Sequence, residues 1–291
     1  MNKFVFTALA LAAAAFGADV QARSPAAPAV RAEAAAATWK PLTPGTTWNW
    51  QLDGRAVNAS VLDGSANPKK MLDIDLDATS AGTIAALKAK GIYVVCYTEV
   101  GSYNMDRADA AEFRKVPGLI GKQMEGFDRE YWVDVRKTDA LMPIMTARLD
   151  KAKAKGCDGV EPDLDDSYSQ GKTKTGFDLT IDDSLHYLQL LVDAAHARGM
   201  SMGLKNGPEM APYAALFTDW ALNEECNEFE ECDGYKEFVK RNKAVFQVEY
   251  RSNGTRVGDF CPADNRNNFD GLLKDASELL HALPRDACRN G

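Results

Sequence analysis

The stretch DGVEPDLDD, residues 158–166, opens as a short apolar strand and closes in a burst of carboxylates. Glu161, Asp163, Asp165 and Asp166 crowd around Pro162. A strand that runs out into acids places negative groups at its C-terminal end, where a barrel or an open α/β sheet builds its site. A second acidic strand end follows at DWALNEEC, residues 219–226. Two carboxylates brought together from two strands are the minimum equipment for cleaving a glycosidic bond.

Outward from this stretch, strand-like and helix-like segments alternate, which predicts a parallel sheet. Candidate strands cover 47–51, 72–76, 92–98, 132–135, 158–163, 201–205, 220–223 and 245–250. Amphipathic helical stretches cover 83–90, 141–155, 184–198, 235–240 and 268–282. Three of the helical stretches stop on a Gly after a basic residue, at Lys90-Gly91, Lys155-Gly156 and Arg198-Gly199. Gly there is a helix stop signal. A doubly wound open sheet also fits the alternation, but eight strands favour a closed (β/α)8 TIM barrel. Such a barrel takes about 250 residues, and no internal repeat or second domain is evident.

The remaining residues precede the barrel. Residues 1–22 read as a signal peptide: Lys3, an apolar run over 4–16, then Val20-Gln21-Ala22 as the cleavage site. The run is too short to span a bilayer. Residues 23–38 are Ala- and Pro-rich without periodicity and read as a disordered linker. Residues 39–291 form the barrel domain, and the expected location is secreted or periplasmic. No later stretch predicts membrane insertion, and a monomer is expected.

The net charge of -8 argues against a nucleic-acid partner and suits a cationic or neutral ligand. Six cysteines in an exported chain suggest bridges. Cys226 and Cys232 lie close enough for a local staple, and Cys261 and Cys288 flank the last helical stretch. Cys96 and Cys157, in or beside strands, read as buried thiols. No metal and no cofactor are expected. The three His include no pair at ligand spacing, there is no CxxC, and GxSxG, P-loop and GxGxxG signatures are missing. Asp73, Asp75 and Asp77 resemble the start of an EF-hand loop, but its Gly and closing Glu are not there.

The strand ends supply the candidate binding residues: Trp50, Asp73, Asp75, Tyr97, Glu99, Asp134, Glu161, Asp166, Lys205, Asn206, Glu249 and Tyr250. In a barrel they converge on one rim. Packed carboxylates repel, so some hold protons and can donate them while others stay ionised. Lys205 is placed to keep a neighbouring acid ionised. Trp48, Trp50 and Tyr103 are candidates to stack on sugar faces, with at least one tryptophan expected in the core.

The segments WNWQLDG, LDIDL, VVCYTEVGSYN, YWVDVR, PIMTARLDKAKAKGCDGVEPDLDD, AHARGMSMGLKN, ALNEEC and VFQVEY, in this order, resemble glycoside hydrolase family 114, the endo-α-1,4-polygalactosaminidases. The resemblance runs from about Trp48 to Tyr250. It implies a secreted barrel that cuts galactosamine-containing polysaccharide. It also implies that the catalytic acids are the Asp of the EPD segment and the Glu of the NE-x-C segment, here Asp163 and Glu224. Two stretches depart from the family pattern: DLDDS, where many relatives carry an Asn-Val-Asp-like run, and EVGSYNMDR, where a Trp-containing version is more usual. Two other readings are a barrel that binds carbohydrate without cleaving it and a barrel glycosidase for a different glycan. New reducing ends and a substrate panel separate them.

Overall fold

The computed structural model describes residues 39–63, 65, 67–276 and 280–289. The expected signal peptide and linker lie outside the described residues. The strands are β1 (Thr47–Gln51), β2 (Lys70–Asp75), β3 (Ile92–Glu99), β4 (Ser102–Asn104), β5 (Ile120–Gln123) and β6 (Glu130–Val133). They continue with β7 (Gly159–Asp163), β8 (Ser201–Lys205), β9 (Trp220–Glu224), β10 (Val245–Tyr250), β11 (Asp270–Lys274) and β12 (Asp286–Ala287). The helices are α1 (Ala81–Ala89), α2 (Ala110–Arg114), α3 (Thr138–Lys155), α4 (Gly171–Thr175), α5 (Ile181–His196), α6 (Ala211–Ala214), α7 (Lys236–Lys240) and α8 (Val257–Asn267).

One sheet has the order β1-β2-β3-β7-β8-β9-β10-β11-β12. Its first eight strands run parallel, and β12 pairs antiparallel with β11. The sheet curls until β11 meets β1: Trp48 Nε1 donates to the Asp270 carbonyl at 2.7 Å, and Lys274 Nζ to Asn49 Oδ1 at 3.1 Å. The C-terminal segment lies along this seam, where the Leu52 amide donates to the Leu280 carbonyl and Arg285 Nε to the Trp48 carbonyl. The fold is a (β/α)8-type barrel, with a single 3-10 turn, Ala59–Leu62, in place of the first helix.

Two segments differ from the sequence expectation. Residues 132–135 do not enter the barrel. Trp132 and Val133 end β6, in an antiparallel sheet of order β4-β6-β5 inserted after β3, and 134–135 follow it outside any strand. The eighth barrel strand is instead β11, inside the stretch that reads as a helix over 268–282. Asn268, with φ 62°, caps α8 in the left-handed conformation and stops it just before the strand. The Leu-Leu run that follows is buried on both faces, and such a strand shows no alternation to distinguish it from a buried helix.

Side-chain alternation splits the core in two. Trp48, Trp50, Met71, Tyr93, Val95, Trp220, Leu222, Phe246, Val248 and Leu272 fill the barrel interior. Leu72, Ile74, Val94, Val160, Met202 and Leu204 face outward against helices such as α5, whose Leu188, Leu191 and Val192 are buried. A capping box starts α5: Thr180 Oγ1 accepts from the Asp183 amide, and Asp183 accepts from the Thr180 amide. Inside, Gly203 leaves room for the Trp220 ring, which lies 2.4 Å from where a Cβ would stand.

All six cysteines are paired. Cys226–Cys232 and Cys261–Cys288 form, and Cys96 joins Cys157 rather than remaining a thiol. With the fourth candidate strand gone from the barrel, β3 lies directly beside β7. Their Cα atoms are then 6.0 Å apart, within bridging range.

Candidate active site

The adjacent strands β7, β8 and β9 present Asp163, Lys205 and Glu224 as their last inward residues. Each is followed by a non-glycine residue with left-handed backbone: Leu164 (φ 65°), Asn206 (φ 52°) and Glu225 (φ 64°). Such conformations cost free energy and concentrate at functional sites. Asn206 uses its turn well, because its Oδ1 accepts the Glu224 amide at 2.9 Å. Gly101 lets the β3 loop lie against Asp163, since a Cβ there would stand 1.9 Å from the Leu164 carbonyl oxygen.

Lys205 Nζ lies 2.9 Å from Asp163 Oδ1, 2.8 Å from Glu224 Oε2 and 3.8 Å from Glu161 Oε1. Burial works against its charge, but these carboxylates outweigh that and hold the ammonium well above the usual lysine range. The Trp50 ring centroid, 5.2 Å from Nζ, adds a cation–π contact. Tyr97 donates to Asp163 Oδ2 at 2.8 Å, and Tyr250 to Glu224 Oε1 at 2.5 Å. Burial, with nearby carboxylates adding to it, raises both phenols, so they stay donors at neutral pH. Every oxygen of the two carboxylates therefore has a donor. The Asp163 and Glu224 side chains keep 15% and 20% of their surface exposed, against 0% for Glu161. They are the acids of the Lys205 cluster that a ligand can reach.

Beneath them, Glu161 accepts from Trp50 Nε1 at 3.0 Å and lies beside the buried Asp73 carboxyl, whose two oxygens have no hydrogen-bond donor among the described residues. Burial pushes Asp73 up to about 8 and Glu161 well above its ordinary value. The pair thus holds a proton at neutral pH. Two buried like charges cannot both ionise cheaply. Asp166 is half-buried nearby; burial lifts it to about 6, with Lys205 opposing and Asp163 reinforcing. Asp165 is fully buried and accepts the Lys205 amide at 3.2 Å.

The structure does not bring every candidate to this cluster. Asp75 and Glu99 face the interior but are paired with Arg107, at 2.9 Å and 2.7 Å, and Arg107 also reaches Asp77 at 3.1 Å. Asp134 pairs with Arg136 at 2.8 Å, because its segment left the barrel. Glu249 points outward: its neighbours Val248 and Tyr250 fix the opposite phase for β10. It accepts from the Asn227 amide at 2.9 Å and from Gln247 Nε2 at 2.6 Å. Trp48, Trp50 and Tyr103 are buried at 1%, 1% and 4% exposure, so none of the three is an open sugar platform. Among the described residues, no group of three or more His, Cys, Asp or Glu could hold a metal ion.

The sequence profile of glycoside-hydrolase family GH114 matches residues 28–290. The chain belongs to family GH114. Ega3 from Aspergillus fumigatus, solved in complex with galactosamine, is 32% identical, with a TM-score of 0.76, over 87% of this chain and 99% of that one. The glycoside hydrolase domain of PelA from Pseudomonas aeruginosa is 12% identical over 81% of this chain and 96% of its own, with a TM-score of 0.60. An alpha-galactosidase from Thermus thermophilus is 13% identical over 83% of this chain and 60% of its own, with a TM-score of 0.52. The last two show the shared barrel fold. No curated protein sequence matches the chain.

In this GH114 protein two residues near the site escaped sequence reasoning. Arg107 sits in the insertion after β3, where no strand end marks it; an Arg eight residues beyond Glu99 was the available signal. Glu130 opens β6, accepts from Ser102 Oγ, and is pushed up to about 7 by burial, with Glu99 and Asp163 adding to the rise. It became visible only once the small sheet was known to stand over the barrel's C-terminal end.

Proposed function

We propose that this GH114 protein is a secreted or periplasmic endo-acting hydrolase of α-1,4-linked, galactosamine-containing polysaccharide, with Asp163 and Glu224 as its catalytic pair. The observation that carries the reading is the shared contact of both carboxylates with Lys205. Asp163 Oδ1 and Glu224 Oε2 touch one nitrogen at 2.9 and 2.8 Å, so they lie no farther apart than those distances added. That bound on the two facing oxygens is compatible with double displacement, which takes carboxyl groups about 5–5.5 Å apart.

Asp163, oriented by Lys205 Nζ at Oδ1 and Tyr97 OH at Oδ2, serves as the nucleophile and attacks the anomeric carbon. Glu224, on the neighbouring strand end, serves as the general acid that gives a proton to the leaving glycosidic oxygen. It then takes a proton from the water that releases the glycosyl group from Asp163. The proton held by Asp73 and Glu161 reduces the negative charge beneath Lys205, which leaves the ammonium to the catalytic pair. Ega3 was solved with galactosamine, which supports an aminosugar as the substrate unit.

The test is release of reducing ends from a partly deacetylated α-1,4-galactosamine polymer, with fully acetylated chains and α-galactans alongside. New ends from the deacetylated polymer, lost in Asp163→Asn, support the reading. A folded wild type that binds the polymer but releases no ends would show a binding barrel instead. Cleavage confined to another glycan would show a different specificity. Nuclear magnetic resonance of the first-formed anomer tests double displacement, which predicts retained configuration.

A further inference from the structure

The small antiparallel sheet has two unlike faces. Its register sets Ser102 opposite Trp132, Tyr103 opposite Tyr131 and Asn104 opposite Glu130, and directly opposed residues share a side. Tyr103 packs toward the core on Tyr131 and Phe113, with ring centroids 5.9 and 5.7 Å away. Alternation puts Ser102, Glu130 and Trp132 on the other side. That side looks onto the ends of β3 and β7, because Glu99 and Asp163 are acids whose charge reaches Glu130. Ser102 is fully buried, and its Oγ donates to Oε1 of the half-buried Glu130, which fixes the carboxyl in place. Among the described residues no donor reaches Glu130 Oε2. Asp75 and Glu99 have Arg107, and Asp163 and Glu224 have Lys205, but among the described residues no cation pairs with Glu130.

We propose that Glu130 selects a 2-amino sugar, by accepting the ammonium of the sugar unit whose anomeric carbon Asp163 attacks. This rests on the aminosugar substrate and the catalytic pair proposed above. Placement decides the unit. Glu130 stands on the β3–β7 side of the mouth with Asp163, whereas Glu224 lies two strands away on β9, beyond Lys205 of β8. In the attacked unit the amino-bearing carbon is bonded to the anomeric carbon, so its ammonium comes to the Asp163 side. The chemistry asks for a carboxylate there. Positive charge develops at the anomeric carbon in the transition state, and an ammonium on the neighbouring carbon opposes it. A carboxylate that accepts the ammonium's hydrogen bonds offsets that repulsion, and such charge-assisted bonds are strong in a half-buried place. Burial, with Glu99 and Asp163 adding to it, lifts Glu130 to about 7 against the bond from Ser102. An ammonium at Oε2 supplies the missing cation and favours the ionised form. An acetamido group carries no charge and supplies none.

The experiment compares a deacetylated α-1,4-galactosamine oligomer with its fully N-acetylated counterpart. Calorimetry measures binding in the Asp163→Asn background, with and without Glu130→Gln. Reducing-end release is measured in wild type and in Glu130→Gln alone. Loss of one charge-assisted contact should weaken binding of the deacetylated oligomer about tenfold and lower its kcat/KM at least as much. Binding of the acetylated oligomer should not change. Ser102→Ala, which unties the carboxyl without removing it, should move the same preference in the same direction. Glu125, an exposed acid in the turn between β5 and β6, is the control for a general loss of negative charge, and Glu125→Gln should leave both affinities unchanged. A preference for the deacetylated oligomer that survives Glu130→Gln, an equal loss in Glu125→Gln, or no binding of the deacetylated oligomer overturns the proposal. The hydrolase reading fails separately, through wild type that binds the oligomer and releases no ends.

Discussion

Asp73→Asn is expected to make the protein less sensitive to alkaline pH. Asp73 is fully buried, no N–H or O–H donates to its oxygens, and the group it meets is the Glu161 carboxyl. Its folded pKa is raised from 3.8 to about 8, chiefly by burial. Between those values the folded protein holds a proton that the unfolded chain has released. Stability from this group is therefore fully present below pH 3.8 and is lost as pH rises toward 8. The slope for one such proton is about 1.4 kcal/mol per pH unit. From pH 6 to pH 8 the wild type should lose about 2 kcal/mol through Asp73. For a domain of this size that is a fall in melting temperature of roughly 4–8 °C. Asparagine is nearly isosteric and does not titrate. Urea unfolding of both proteins at pH 6, 7 and 8 gives the comparison, because the buried acids remote from the Asp73–Glu161 pair titrate in both and cancel. Parallel stability profiles for the two proteins would refute the shared-proton description of the Asp73–Glu161 pair.

Asp163→Asn and Glu224→Gln should each keep the fold and lower the rate of reducing-end release by about 1,000-fold or more; near wild-type turnover in either would remove that residue from the pair. Lys205→Met keeps a stem to pack on Trp50 but leaves three carboxylates without their cation. It should cost about 3 kcal/mol in denaturant unfolding and most of the activity. Replacing Cys96 and Cys157 together by Ala opens a loop of separation 61, against 6 for Cys226 and Cys232. Loop-closure entropy puts the losses near 4 and 2 kcal/mol, an order that thermal unfolding checks. Binding of deacetylated polymer to Asp163→Asn should weaken as salt rises, and binding of fully acetylated polymer should not. Equal salt slopes would show that the arginine-paired acids leave the mouth nearly neutral.

The sequence by itself determined the alternation of strands and helices and the acids at the strand ends. It also determined that Glu161 and Asp163 share a side, because a strand repeats every two residues whatever surrounds it. It could not determine phase or neighbourhood. Glu249 and Tyr250 are both plausible inward residues in VFQVEY, and only the packing of Val248 and Tyr250 into the barrel interior turned Glu249 outward. The strand at 270–274 and the small sheet around 130–133 could not be told from a helix and a barrel strand, since short apolar runs carry no period. Removing 132–135 from the barrel set β3 beside β7, which decided both the Cys96–Cys157 bridge and the bond from Tyr97 to Asp163. The pairing of Asp75 and Glu99 with Arg107, like the joining of Asp163 to Glu224 by Lys205, depends on distances of a few ångströms between segments far apart in the chain. Those distances are set when the sheet curls and its interior side chains pack, and no local pattern of residues encodes them.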